Sequence, residues 1–193
     1  MKLGVVLLAA GRSLRYGGDK LAESIEGKTL LERALEIVRD VDAQRRAAVV
    51  STQARAEAAR RMGVQPVMNV QPEAGISHSV RLGLEACMGM DAYLFMVGDQ
   101  PWLRGESVKR LLAAYARGGC TIACLGSGET MGNPVVFAAR YLPELMALTG
   151  DAGGKRVARA HRDEVRVVQT DARELWDMDQ PLEGRKREGA CRD

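Results

Sequence analysis

The stretch KLGVVLLAAGRSLRYGGDKL, Lys2–Leu21, joins an aliphatic run directly to a glycine-rich segment. Lys2–Ala10 reads as a buried strand: short, rich in Val and Leu, and ended by Gly11. Gly11, Gly17 and Gly18 then stand among Arg12, Arg15 and Lys20, with Asp19 the lone acid. Glycines let a backbone come close to a ligand, and its N–H groups can then face oxygen atoms. One aspartate does not balance Arg15 and Lys20, so the loop suits a polyanion such as a nucleoside triphosphate. Spacing excludes the two best-known phosphate loops. Counting from Gly11, a P-loop needs glycine where Tyr16 stands, and a hydroxyl residue after Lys20 where Leu21 stands. A G-x-G-x-x-G fingerprint is absent too; Gly126, Gly128 and Gly132 miss it by one position.

Downstream, strand-like and helix-like segments alternate. Lys28–Arg39 places Leu30, Leu31, Ala34, Leu35 and Val38 at helical spacing. Arg45–Thr52 reads as a strand and Ala54–Met62 as a helix. The next unit opens with an extended loop from Val67. A helix follows from near Ser77, with Ile76, Val80, Leu84, Cys87 and Met88 as its apolar stripe. Asp91–Val97 is a strongly apolar strand that runs into Gly98-Asp99-Gln100-Pro101, before a helix (Ser107–Tyr115) and a strand (Thr121–Leu125). Beyond Ser127 the alternation loosens: a loop, the strand NPVVF (Asn133–Phe137), two helical stretches around Gly150–Lys155, the strand Val165–Val168, and WDMDQP (Trp176–Pro181). This order predicts one α/β domain over residues 1–182, a three-layer α/β/α sandwich around a mostly parallel, Rossmann-like sheet. Residues 183–193 read as a flexible tail. Ligands of such sheets bind at the carboxyl ends of the strands, so the glycine-rich loop and Asp99 belong on one edge.

Bulk properties narrow the class. The 193 residues are 46% hydrophobic and 27% charged, ordinary values for a globular protein. No apolar run approaches the ~18 residues of a membrane span, and no secretory leader precedes the first strand, so a cytoplasmic protein is expected. A net charge of +3 is mild, and only 4% of residues are aromatic, which argues against nucleic-acid binding. The cysteines (Cys87, Cys120, Cys124, Cys191) do not suggest a disulfide framework. Cys120 and Cys124 are expected on one face of a strand. His78 and His161 are too few for a His/Cys zinc site and read as surface residues.

LAAGRSLRYGGDKL (Leu8–Leu21) resembles the signature loop of nucleotidyltransferases with a Rossmann-like fold of the nucleotide-diphospho-sugar transferase type. More narrowly, it resembles that of the molybdenum cofactor nucleotidyltransferases. GDQP, MGNPVVF (Met131–Phe137), GDAGGK and DMDQP are similar to later blocks of that family in the same order, so the likeness runs from Leu7 to Pro181. Guanylyltransferases of the family usually carry LAGG in the loop and cytidylyltransferases LAAG; here it is Leu8-Ala9-Ala10-Gly11. Gly75-Ile76-Ser77-His78-Ser79 is similar to the cytidylyltransferase Gly-Met-Ser-x-Ser core.

The resemblance implies transfer of CMP from CTP to the phosphate of molybdopterin, with Mg²⁺ (or Mn²⁺) and with a molybdenum hydroxylase as client. Leu8, Ala9, Ala10, Gly11 and, more weakly, Arg12 would hold the nucleotide. Arg15 and Lys20 would clamp its phosphates in catalysis. Asp99, a carboxylate at the end of an apolar strand, would bind the metal together with Asp179. The family pattern D-x-D-T-P has Gln180 in place of threonine here, which leaves open whether Asp177 or Asp179 faces the ion. Gly75 and Ser79 would lie beside the base, although hydroxyls opening a helix more often cap it. Gly132-Asn133-Pro134, read as a shaped turn ahead of a strand, would face the pterin. Asp151 and Lys155 would serve the same side at a helix N-terminus. Rival readings are a guanylyltransferase, a transferase acting on a sugar phosphate, and a non-catalytic carrier of the finished dinucleotide.

Overall fold

A computed structural model describes residues 1–11 and 17–179. The chain opens with β1 (Leu3–Ala9), a two-stranded ribbon of β2 (Ser24–Ile25) and β3 (Lys28–Thr29), and α1 (Leu30–Asp40). It continues through β4 (Arg45–Val50), α2 (Gln53–Arg61), β5 (Gln65–Met68), α3 (Ile76–Ala86), β6 (Ala92–Val97) and α4 (Gly105–Ala116). The last elements are β7 (Ile122–Ser127), β8 (Thr130–Ala138), α5 (Leu142–Met146), α6 (Gly154–Ala160) and β9 (Val165–Gln169). The sheet has seven strands in the order β5-β4-β1-β6-β8-β7-β9. β8 runs antiparallel to β6 and β7, while the remaining pairings are parallel.

Period-two alternation decides which face each strand residue serves. On β1, Val5, Leu7 and Ala9 pack with Leu35 of α1, Ala56 of α2 and Leu111 of α4. Val6 and Ala10 face the other way, among Leu84 of α3, Leu145 of α5 and Val157 of α6. Helices therefore cover both faces, and the expected α/β/α sandwich is the architecture observed. α1 starts two residues later than its periodicity suggests. Lys28 and Thr29 are used in the ribbon, and Thr29 closes a capping box with Glu32 (Glu32 N to Thr29 Oγ1 3.2 Å, Thr29 N to Glu32 Oε2 2.9 Å).

Several local expectations are corrected. Val67 and Met68 belong to β5, an edge strand paired with β4, rather than to a loop. Ile76 and Met88 stay exposed, so the buried stripe of α3 shortens to Val80, Leu84 and Cys87. Cys120 precedes β7 and packs on the α4 side, whereas Cys124 lies in the opposite core; the two share no face because the strand begins only at Ile122. Gly132-Asn133-Pro134 is not a turn before a strand but the interior of β8. Residues 132–134 arch out of the ladder where the β7 register shifts between Cys124 and Gly126, so the cis proline (Asn133–Pro134) takes no ladder hydrogen bond.

Two constraints position the site. α3 lies so close to β1 that a Cβ at Gly83 would overlap the Val6 side chain. The segment after β9 is tied down by Glu174, on the 3₁₀ turn Ala172–Leu175 and almost fully buried. Glu174 accepts hydrogen bonds from Arg104 N (3.0 Å) and Thr170 Oγ1 (2.7 Å), and its carboxylate meets the Arg104 guanidinium at 3.3 Å. Met178 N then donates to Asp99 O (2.9 Å), with the Met178 side chain in the core.

Gly83→Ala should lower the unfolding free energy by about 1–3 kcal/mol through overpacking, even though alanine favours a helix. Adding Val6→Ala should recover part of that loss, read from urea denaturation of the single and double variants. Burial by itself pushes the Glu174 carboxyl up, but hydrogen bonds from Thr170, Ser107 and Arg104 N and the Arg104 charge outweigh it, leaving a lowered pKa. A lowered folded-state pKa stabilises the protein fully above the unfolded value of about 4.3, and the contribution is lost as pH falls through the folded value. Thermal midpoints of Glu174→Gln should therefore lie below the parent's at neutral pH and converge with it in acid.

Candidate functional site

A cleft of about 500 Å³ opens at the carboxyl ends of β1 and β6. Its floor is the chain leaving β1, Leu8, Ala9, Ala10 and Gly11, with Gly98 and Asp99 leaving β6 beside it. The first turn of α3 closes one side through Gly75, Ile76 and Ser79, and the 3₁₀ turn Pro72–Ala74 rims it with Glu73. Lys20, Asp151 and Asp179 complete the wall. Leu8–Gly11, Lys20, Gly75, Ser79, Asp99, Asp151 and Asp179 are thus brought together, while Arg12 and Arg15 lie outside the described residues.

Gly75 is built into its position. Its φ of +88° suits glycine, and a Cβ there would overlap the Gly150 carbonyl. That carbonyl accepts from Ser77 N (3.1 Å). Neither serine side chain caps α3. Ser79 Oγ instead accepts from the buried Asn69 Nδ2 (2.9 Å), while Ser77 Oγ is buried with no partner among the described residues. Gly150 and Asp151 do not open a helix, since α6 starts only at Gly154 behind Gly153. They pack against the start of α3 instead.

The charge arrangement differs from that of a loop with unpaired cations. Lys20 Nζ meets Asp99 Oδ2 at 2.8 Å and Asp179 Oδ1 at 4.0 Å. Lys20 and Asp99 are mostly buried, whereas Asp179 reaches into solvent. Lys20 therefore finds its partners on other strands' loops, which counting acids within its own loop could not reveal. Among the described residues, no group of three or more His, Cys, Asp or Glu side chains is placed to hold a metal by itself. Two carboxylates gathered about one cationic position nevertheless fit a hard divalent ion, which binds few protein oxygens and completes its shell with water and substrate phosphate.

Asp177 turns elsewhere, to a second cavity of about 140 Å³ shared with Gln100, Gly132, Asn133 and Lys155. Asp177 remains exposed at the edge of this cavity, so its desolvation is partial. This desolvation, reinforced by the charges of Asp99 and Asp179, pushes its carboxyl up to about 6. Gln100 is buried; its Nε2 donates to Leu175 O (3.4 Å), but its Oε1 has no partner among the described residues. The residues expected on the pterin side are therefore divided. Asp151 faces the main cleft, Gly132, Asn133 and Lys155 face the second cavity, and Pro134 lines neither.

Sequence reasoning missed three polar residues that shape the cleft or the second cavity: Arg55 and Asn69 at the first, Gln100 at the second. Arg55, buried on α2, donates to Ala9 O (2.8 Å) and Gly11 O (3.3 Å) and pairs with Asp19 (Nη2 to Oδ1 2.5 Å). The available signal was its place beside Ala56 and Ala59 on the buried face of α2, where a long cation is out of keeping.

Residues 5–165 match the family model of the MobA-like NTP transferase domain. The purine catabolism protein PucB of Bacillus subtilis (strain 168) is 28% identical over 193 residues, covering 92% of each chain. The bifunctional protein GlmU of Synechococcus sp. (strain RCC307) is 30% identical over 128 residues, 64% of this chain and 28% of GlmU, so the chain spans little more than a quarter of that relative's length. In fold, the crystal structure of Rv0371c from Mycobacterium tuberculosis H37Rv superposes with a TM-score of 0.77 at 24% identity, over 93% of this chain and 94% of that one. Rv0371c has also been solved in complex with manganese (TM-score 0.72, 23% identity, 89% of each chain). No helix among the described residues is long and apolar enough to cross a membrane. With a matching family model over most of its length, the chain belongs to the MobA-like NTP transferase domain family.

Proposed function

We propose that this enzyme transfers CMP from CTP to the terminal phosphate of molybdopterin, releasing pyrophosphate and forming molybdopterin cytosine dinucleotide for a molybdenum hydroxylase. The observation that carries the reading is the meeting of Lys20, Asp99 and Asp179 at the sheet edge, next to the Ala9–Gly11 backbone. Ala9, Ala10 and Gly11 present a backbone close enough for a nucleotide to lie against, and Ala10, where the LAAG and LAGG loops differ, is the position on which the choice of base is proposed to depend. Gly75 and Ser79 border that space from α3.

A phosphate monoester is largely ionised at neutral pH, so the attacking group needs no base to remove a proton. What obstructs the reaction is repulsion between the attacking phosphate and the triphosphate, and catalysis consists of positioning and charge neutralisation. Lys20, held by Asp99 and Asp179, exchanges these carboxylates for the oxygens of a bound triphosphate and stabilises the charge that accumulates on the departing pyrophosphate. Asp99 and Asp179, so released, would hold Mg²⁺ or Mn²⁺, which when bound neutralises phosphate charge. The manganese complex of Rv0371c supports a divalent ion in this fold. Arg15 and Arg12 are proposed to add to the phosphate clamp. The second cavity is the proposed seat of the pterin, with Asn133, Lys155 and Gln100 as its polar contacts.

The resemblance of Leu8–Leu21 to loops of the nucleotide-diphospho-sugar transferase type keeps a sugar-phosphate acceptor as a second reading, and its likeness to the guanylyltransferases keeps GTP as a second donor. The deciding experiment offers CTP, GTP and UTP separately, with Mg²⁺ and molybdopterin or a sugar 1-phosphate, and measures pyrophosphate. Release with CTP and molybdopterin is expected. Preference for GTP would overturn the cytidylyl assignment, and release only with the sugar phosphate would replace the acceptor. No release with any pair would favour a carrier. Asp99→Ala should reduce kcat on the order of 10²–10³-fold; turnover equal to the parent's would remove Asp99 from the chemistry. Ala10→Gly should raise the GTP-to-CTP preference about 10-fold, the low end of what one methyl group is worth in discrimination.

A further inference from the structure

Burying a guanidinium is costly, and Arg55 is only 6% exposed. Among the described residues, Glu174 is the one other buried charged side chain. The contacts of Arg55 explain its burial. Nη1 donates to Ala9 O (2.8 Å), Gly11 O (3.3 Å) and Ser51 Oγ (3.2 Å), while Nη2 and Nε reach the two oxygens of Asp19 at 2.5 and 3.4 Å. Apart from Ser51, every partner lies on the chain leaving β1 or on the residue just before Lys20. Asp19 in turn caps the 3₁₀ turn Lys20–Ala22, accepting from Leu21 N at 3.1 Å. One planar fork therefore sets two things at once. It pins the Ala9 carbonyl, so that across a trans peptide the Ala10 N–H points away from α2, and it orients the turn that carries Lys20.

We infer that Arg55 is a positioning residue for the transfer reaction: it holds Ala9, Gly11 and the Asp19-capped turn so that Lys20 is presented to the triphosphate. This rests on reading the cleft as the triphosphate site. Arg55 does not line the cleft and acts through Lys20. Lysine can replace it only in part, keeping the charge beside Asp19, because an ammonium has no fork to span a carboxylate and two carbonyls together.

The test compares Arg55→Met, Arg55→Lys, Asp19→Asn and the double variant Arg55→Met/Lys20→Met with Lys20→Met alone. Pyrophosphate release is followed with CTP and molybdopterin, and amide exchange of Leu21 is compared with that of Leu35 in α1. Arg55→Met should lower kcat/KM on the order of 100-fold, with a raised KM for CTP and faster exchange at Leu21 but not at Leu35. Arg55→Lys should recover part of the loss. The double variant should be little worse than Lys20→Met, because the two act as one unit. Multiplicative losses in the double variant, an unchanged KM for CTP, or loss of activity in step with global unfolding would each overturn the inference. If Arg55→Met does not fold, Asp19→Asn breaks the same ion pair while keeping an acceptor for Leu21 N, and the same outcomes decide. If the parent releases pyrophosphate with no nucleotide, the functional reading fails, and the Leu21 exchange still decides whether Arg55 holds the turn.

Discussion

Parallel pairing of β1 with β4 and β6 is the constraint on which the rest of the molecule depends. In the β1–β6 register Leu8 stands opposite Val97, so both strands end at the same level. The glycine-rich segment and Asp99 then leave the sheet side by side. Parallel strands need crossovers, the crossovers are helices, and the helices bury both faces of the sheet. Everything chemically useful is thereby collected at one edge, where the backbone leaves the ladder and its polar groups become available.

That edge is stabilised from outside the cleft as much as from within it. Arg55 braces the chain that leaves β1 along the cleft, and Asn69 holds Ser79 at the start of α3. Glu174 fixes the segment that delivers Asp177 and Asp179 beside Asp99, helped by the hydrogen bond from Met178 N to Asp99 O. These are buried polar groups with satisfied partners, which favour one arrangement over nearby alternatives more than they add net stability. A site that works by positioning needs this kind of rigidity, since displacement by an ångström is expensive.

The two carboxylates near Asp99 show how neighbours in sequence come to serve different environments. Asp179 shares Lys20 with Asp99, while Asp177 sits partly desolvated in the second cavity with a raised pKa. A motif read only as D-x-D cannot distinguish them, because which carboxylate meets the cation depends on how the buried Met178 between them is seated.

The sequence by itself determined the layered α/β architecture, the sheet edge where the glycine-rich segment and Asp99 meet, and the gathering there of Leu8–Gly11, Lys20, Gly75, Ser79, Asp99 and Asp179. Hydrophobic periodicity and glycine placement are local properties, and strand ends follow from them. Tertiary structure alone decided the rest. It showed that Lys20 is paired across the sheet edge rather than free, that Gly132–Pro134 lies inside an antiparallel strand, and that Asp151 and Lys155 face different cavities. It also showed that Arg55 is a brace. Each of these depends on contacts between residues far apart in the chain, such as Arg55 with Asp19 or Lys20 with Asp99. Local propensity carries no information about such pairs, because their geometry exists only once the helices have packed on the sheet.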